Sequence, residues 1–220
     1  AYRGWMQIDP KRPAAPSITP ITGEFIYARR PNIAIDGDLA LFGASSKRWD
    51  LLDLSDPLAP RLVNTIPVPD SLTGVGLALE RYQGRRIAYL LQLCYPLCSV
   101  EQHLALVDVS DPVRPKNLSV LPIPVGGAGW EMRVHDGIVY LLREEPVPPD
   151  ATVLMARMQI IDARTPTAPR IAGSIVFPGS PNGLAVVDDY AYAATWWGGL
   201  HTIDVSDPDA PKLLSTFRKH

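Results

Sequence analysis

The sequence predicts an all-β protein built from repeated four-stranded units, on three observations. Five segments superimpose without gaps, short apolar runs bounded by proline flank them, and a hairpin-forming pattern recurs between them. The segments are IDPKRPAAP at 8–16, LDLSDPLAP at 52–60, VDVSDPVRP at 107–115, IDARTPTAP at 161–169 and IDVSDPDAP at 203–211. Their aspartates, Asp9, Asp53, Asp108, Asp162 and Asp204, stand 44, 55, 54 and 42 residues apart. Each is followed four residues later by a proline (Pro13, Pro57, Pro112, Pro166, Pro208) and three further on by another (Pro16, Pro60, Pro115, Pro169, Pro211).

Each segment reads as the end of one strand, a tight turn and the start of the next. The residue before each aspartate is aliphatic: Ile8, Leu52, Val107, Ile161 and Ile203. Four before it stands Trp5, Trp49, Leu104, Met158 or Leu200, all large and apolar. Such runs are strands buried against neighbours. Proline fixes φ and lacks an amide hydrogen, so it stops the ladder and sets the turn. The aspartates then serve first as turn caps, accepting amides that have no ladder partner.

Between the segments, Ile33–Leu41, Met132–Tyr140 and Leu184–Tyr192 align around Asp-Gly or Asp-Asp. Leu77–Leu90, with Gly84 at its turn, is a longer fourth copy. Asp-Gly between apolar strands marks a hairpin. Each unit therefore holds a hairpin of strands A and B, a strand C ending at the aspartate, and a strand D beginning near the second proline. Four antiparallel strands in about 40–50 residues match one blade of a β-propeller. The expected organisation is a single domain over 1–220 with units at about 1–26 (C and D only), 27–68, 69–124, 125–178 and 179–220. Two readings stay open: closure as four blades with extra edge strands, or part of a larger ring, towards which the missing A–B hairpin tilts the balance.

The stretches LALVDVSDPVRP and LHTIDVSDPDAP resemble the LVIVD repeat of bacterial and archaeal cell-surface proteins, a family assigned to propellers. The resemblance spans nearly the whole chain. It implies a propeller fold and an extracellular, cell-surface or periplasmic setting, and no particular reaction. Lys11-Arg12 and Arg164-Thr165 replace Ser-Asp in two units, which speaks against any role needing all five turns, such as a ring of metal ligands. The chain starts at Ala1 without a basic-then-apolar leader, so either a leader has been removed or this is a piece of a longer protein.

Composition narrows the partner classes. With 21 Lys and Arg against 23 Asp and Glu the formal charge is −2, so no basic field exists to hold a nucleic acid. No apolar run reaches the length of a membrane helix, and 46% apolar residues can fill a core.

Strand parity puts A–B hairpins and C–D turns at one end of the units, and B–C and D–A loops at the other. The second end varies most, with long loops near Leu91–Gln102 and Arg143–Ala156, and variable loops on a rigid scaffold carry binding sites. Cys94 and Cys98 fall in one of these loops; a disulfide, free thiols and a metal site with His103 all remain open. Trp196-Trp197-Gly198-Gly199 occupies a short B–C loop. The pair offers a contact anchor or a sugar-stacking surface, although alternation along an extended segment would send one of the two into the core. Trp130 and Tyr95 are further aromatic binding candidates at the same end.

Catalytic signatures are absent. No Gly-x-Ser-x-Gly elbow occurs, the histidines are not repeat-equivalent, and Gly126-Gly127-Ala128-Gly129 lacks the lysine of a phosphate loop. Asp36-Gly37-Asp38 lacks the downstream ligands of a calcium loop. No cofactor is implied. The expectation is a non-catalytic interaction module binding a protein or glycan partner through the loop end. The alternatives are a structural subunit of a larger assembly and, with less support, a hydrolase with its site in a central channel.

Overall fold

The computed structural model describes residues 33–45, 47–70, 72–93, 101–124, 131–145 and 154–218. Asp9 and the strands expected over 1–26 lie outside the described residues, as do Cys94, Tyr95, Cys98 and Trp130. Sixteen strands form four sheets of four, each a simple antiparallel meander, and no helix occurs among the described residues. Sheet one holds β1 (Ile33–Asp36), β2 (Leu39–Ser45), β3 (Arg48–Asp53) and β4 (Arg61–Pro67). Sheet two holds β5 (Thr73–Tyr82), β6 (Arg85–Leu93), β7 (Glu101–Asp108) and β8 (Lys116–Pro124). Sheet three holds β9 (Glu131–His135), β10 (Ile138–Glu144), β11 (Met155–Asp162) and β12 (Arg170–Pro178). Sheet four holds β13 (Ser180–Val187), β14 (Tyr190–Trp196), β15 (Gly199–Asp204) and β16 (Lys212–Phe217).

The register is the same in every sheet. The aspartate ending the third strand faces a fixed position on the second: Leu39↔Asp53, Ile87↔Asp108, Ile138↔Asp162 and Tyr190↔Asp204. The first hairpins close tightly. At Gln83-Gly84 and Asp136-Gly137 both turn residues have positive φ, the geometry that matches the twist of the flanking strands.

The sheets stack in order, with first strands side by side: β1 beside β5, β5 beside β9, β9 beside β13. Period-two alternation sends one set of side chains forward and the other back, so each sheet contributes to two layers. Leu39, Leu41 and Trp49 of sheet one meet Leu77, Leu90 and Val107 of sheet two. Tyr89, Leu104 and Leu106 of sheet two meet Val139, Leu141 and Ile161 of sheet three. Ile138, Tyr140 and Met158 of sheet three meet Leu184, Ala191 and Ile203 of sheet four. Among the described residues, no such core joins sheet four to sheet one, and no ring is closed.

A second regularity ties the layers together. In every sheet the fourth strand shifts register against the third, skipping Val63, Leu118 or Leu214 and, in sheet three, both Ala172 and Gly173, the irregularity starting ten residues after the turn aspartate. The position eleven residues after the aspartate reaches the next sheet's turn. Asn64 Nδ2 donates to the Val113 carbonyl at 2.8 Å, and Ser119 Oγ to the Pro166 carbonyl at 2.7 Å. At Gly173 the backbones come so close that a Cβ would lie 2.6 Å from the Pro208 oxygen. Ser215 holds the same position in sheet four.

Candidate functional site

The turn end is chemically uniform. Asp53, Asp108, Asp162 and Asp204 each accept, through Oδ1, the amide two residues on, at 2.8, 2.9, 3.1 and 3.0 Å. The following residue donates back to the first hairpin, as in Leu54 to Asp38 and Val109 to Arg86. The Ser55 amide and hydroxyl, helped by Arg61, hold the Asp53 carboxyl down at about 2. The Arg164 guanidinium lowers Asp162, and the Ser206 hydroxyl and amide lower Asp204. At Asp108 burial pushes upward, and the Ser110 hydroxyl and amide overcome it. Hydrogen bonds to the charged form explain all four directions.

Contacts between sheets add to this end. Arg86 Nε donates to Asp36 Oδ2 at 2.6 Å across sheets one and two. Glu80 Oε2 accepts the Gly137 amide at 3.0 Å across sheets two and three. Arg170 grips Asp209 with two bonds of 2.6 and 2.8 Å across sheets three and four. These residues are occupied with structure, so the turn end offers a braced rim.

The loop end of sheet four is different. Trp196 is 55% and Trp197 81% exposed, so neither enters the core. Alternation fails because Trp197 is not in extended backbone. Its φ is +60°, and the Gly198 amide donates to the Trp196 carbonyl at 2.7 Å, closing a three-residue turn around it. That γ-turn is rare and strained, and a bulky side chain makes it more so. The two indoles lie with centroids 6.4 Å apart and planes tilted by 48°.

A buried knot beneath the turn holds this geometry. His201 is fully buried, its Nε2 3.0 Å from Thr195 Oγ1 and 3.2 Å from the Pro178 carbonyl, its Nδ1 3.0 Å from Thr216 Oγ1. A carbonyl only accepts, so these partners assign the proton to Nε2 and leave Nδ1 to accept from Thr216. Burial depresses the His201 pKa, the Pro178 carbonyl partly opposing and Arg218 adding to it. Phe177 packs on the ring at 4.5 Å, and Arg218 Nε donates to the Gly198 carbonyl at 3.0 Å. At Gly198 any Cβ would collide with the Pro178 oxygen, which explains the glycine after the tryptophans. With both nitrogens engaged, His201 is a support and has no lone pair left for acid–base work.

Sheet four differs in one further respect. Tyr190 and Leu200 stand exposed, as does Trp196, whereas Ile138 and Met158, which hold the positions of Tyr190 and Leu200 in sheet three, are buried. Every residue of β16 is exposed. Among the described residues no three His, Cys, Asp or Glu side chains gather as a metal site. Among the same residues no helix is long and apolar enough to cross a membrane.

Comparison with known families gives a match over residues 178–218. They match the LVIVD repeat. The match takes in β13 to β16, so the LVIVD unit includes the tryptophan turn, the His201 knot and the exposed face. The other three sheets repeat its register around their own aspartates. A crystal structure of a functionally unknown protein from Desulfotomaculum acetoxidans is similar in fold, with a TM-score of 0.58 and 13% identity. The alignment covers 86% of this chain and 56% of that one, so the sequence spans little more than half of that protein. No curated protein matches the sequence.

Sequence reasoning singled out Trp196 and Trp197 by type and position. It missed the knot that supports them and the linking position eleven residues after each aspartate. The latter has a readable period, but Asn64, Ser119 and Ser215 are ordinary polar strand residues and Gly173 has no side chain, so residue type gave no cue.

Proposed function

We propose that this chain is a non-catalytic interaction module of β-propeller type, binding a protein or glycan partner through its B–C and D–A loop end. The observation that carries this reading is the strained Trp197 turn, which holds two indoles in solvent on a buried support. Backbone strain and exposed aromatic area both count against the free protein and persist where a ligand uses them. The LVIVD repeat favours a surface or periplasmic setting. Titration of the chain with a panel of neutral oligosaccharides, followed by the two indole Nε1–H resonances, tests the reading. A ligand of this face shifts both resonances, and Trp197→Ala removes binding with the melting temperature held. Loss of binding only in variants that also unfold would overturn it.

A second reading, a structural unit of a larger assembly, is favoured by the outward face of sheet four. Its occupant would be another unit of the same repeat, because Ser215 stands where Asn64 and Ser119 each grip the following unit's turn. Sedimentation velocity separates the two readings: a monomer at all concentrations, with the Tyr190 and Leu200 face open to solvent in hydrogen exchange, removes the assembly reading.

A further inference from the structure

Between sheets two and three, towards the loop end, a cationic side chain is buried without a carboxylate of its own. Arg143 of β10 is 3% exposed. Its Nη1 donates to the Pro124 carbonyl at 2.5 Å and its Nη2 to Gln159 Oε1 at 3.1 Å, both neutral acceptors. Its Nε–H is buried with no acceptor. Glu145 is engaged elsewhere: Oε2 takes Arg157 Nε at 2.5 Å and Oε1 takes Arg157 Nη2 at 2.8 Å. Glu144, the next residue, accepts from Ser180 Oγ at 2.8 Å. The charges of Arg143, Glu144, Glu145 and Arg157 sum to zero, yet neither carboxylate bonds the Arg143 guanidinium, whose two bonds go to neutral acceptors.

Across the same layer, Gln102 of β7 is 1% exposed, and neither its amide nitrogen nor its oxygen has a partner. It shares strand parity with Leu104 and Leu106, as Arg143 does with Val139 and Leu141, and all four line the core between these sheets. Gln102 pairs with Ile123, next to the Pro124 whose carbonyl Arg143 holds. Buried polar groups are normally satisfied, and buried charges are normally paired. An open guanidinium N–H bonded to no carboxylate, and an open amide on the facing sheet, describe the complement of a definite chemical class.

We propose that Arg143 and Gln102 form the inner wall of a subsite for a small hydroxycarboxylate. The carboxylate accepts from Arg143 Nε–H and Gln102 Nε2–H, and the ligand's hydroxyl donates to Gln102 Oε1. Charge-assisted bonds to a buried guanidinium are strong and directional, which suits a carboxylate over a halide. Burial and the neighbouring Arg157 push the Arg143 pKa downward, with Glu145 partly opposing; a bound anion would relieve that pressure. This subsite is separate from the tryptophan turn and stands without it.

The test is thermal unfolding of the whole chain against glycolate at constant ionic strength, with acetate, chloride and neutral glycolamide as comparators. The Arg143 Nε–H resonance is followed in parallel. The expected result is a saturable rise in melting temperature with glycolate, a weaker one with acetate, none with chloride or glycolamide, and a shifted Arg143 resonance. Arg143→Lys keeps the charge and loses Nε–H, and should weaken glycolate at least tenfold. Gln102→Leu fills the same space without polar atoms, and should weaken it while preserving the fold even where an arginine variant does not. An unmoved Arg143 resonance, or a glycolate response equal in wild type and Gln102→Leu, would overturn the proposal.

Discussion

Four residues before the turn aspartate, Trp49, Leu104 and Met158 are shut from solvent, whereas Leu200 in the same position of sheet four is 41% exposed. The local sequence is alike, the strand is alike, and the register against the neighbouring strand is alike. The difference is what lies in front. Sheets one to three each face a following sheet, and sheet four faces none among the described residues. Hydrophobic stabilisation comes from area removed from water, so one residue type at one position is worth much or little by its neighbour alone.

Substitution at that position gives the largest expected contrast. Leu104→Ala should cost about 2–5 kcal/mol in urea unfolding, through lost burial and a cavity. Leu200→Ala should stay within about 0.5 kcal/mol, as for other surface changes. Equal losses at the two sites would mean that sheet four is covered in solution.

The linking position gives the next contrast. Gly173→Ala drives a methyl into the Pro208 carbonyl and should cost about 1–3 kcal/mol. Asn64→Ala and Ser119→Ala each remove one bond between sheets and should cost about 0.5–1.5 kcal/mol. Ser215→Ala should change nothing in the isolated chain. A measurable loss there would point to a docked partner.

Acid titration separates local chemistry from layer contacts. The turn carboxyls are lowered in the folded state, so the unfolded chain binds protons more tightly. Their stabilisation is complete above about pH 4 and is lost as the pH falls through the folded values, about 2 for Asp53. His201, also lowered, adds a milder decline as the pH drops below its ordinary 6.5. Asp53→Asn and Asp204→Asn should flatten the acid limb of the urea midpoint alike, because capping is local to each turn. A difference between the two would tie capping to the layers.

The last contrast is at the tryptophan turn. Trp197→Gly relieves a positive φ and should stabilise by about 1 kcal/mol, while removing one of the two exposed indoles. Destabilisation by calorimetry would mean that the indole packs on something that supports the fold.

Much of the architecture was legible in the repeat. The aspartate and its two prolines mark where strands end, and Asp-Gly marks the first hairpins, because turns are decided by a few neighbouring residues. The site was legible only in part. Trp196 and Trp197 could be named, but alternation placed one of them inside, and only the γ-turn, held by Thr195, His201 and Gly198, puts both outside. Arg143 and Gln102 gave no sign at all, since an unmet hydrogen bond depends on what the facing sheet brings, some 40 residues away along the chain.

The sequence by itself determined the four-stranded unit, its turn chemistry and the alternation of its faces, all set by contacts within a few residues of one another. Tertiary structure decided which of those faces are buried, which polar groups are met, and where each fourth strand grips the next sheet. Those outcomes depend on the side chains a neighbouring sheet presents, and a repeat that is the same in every unit cannot specify them.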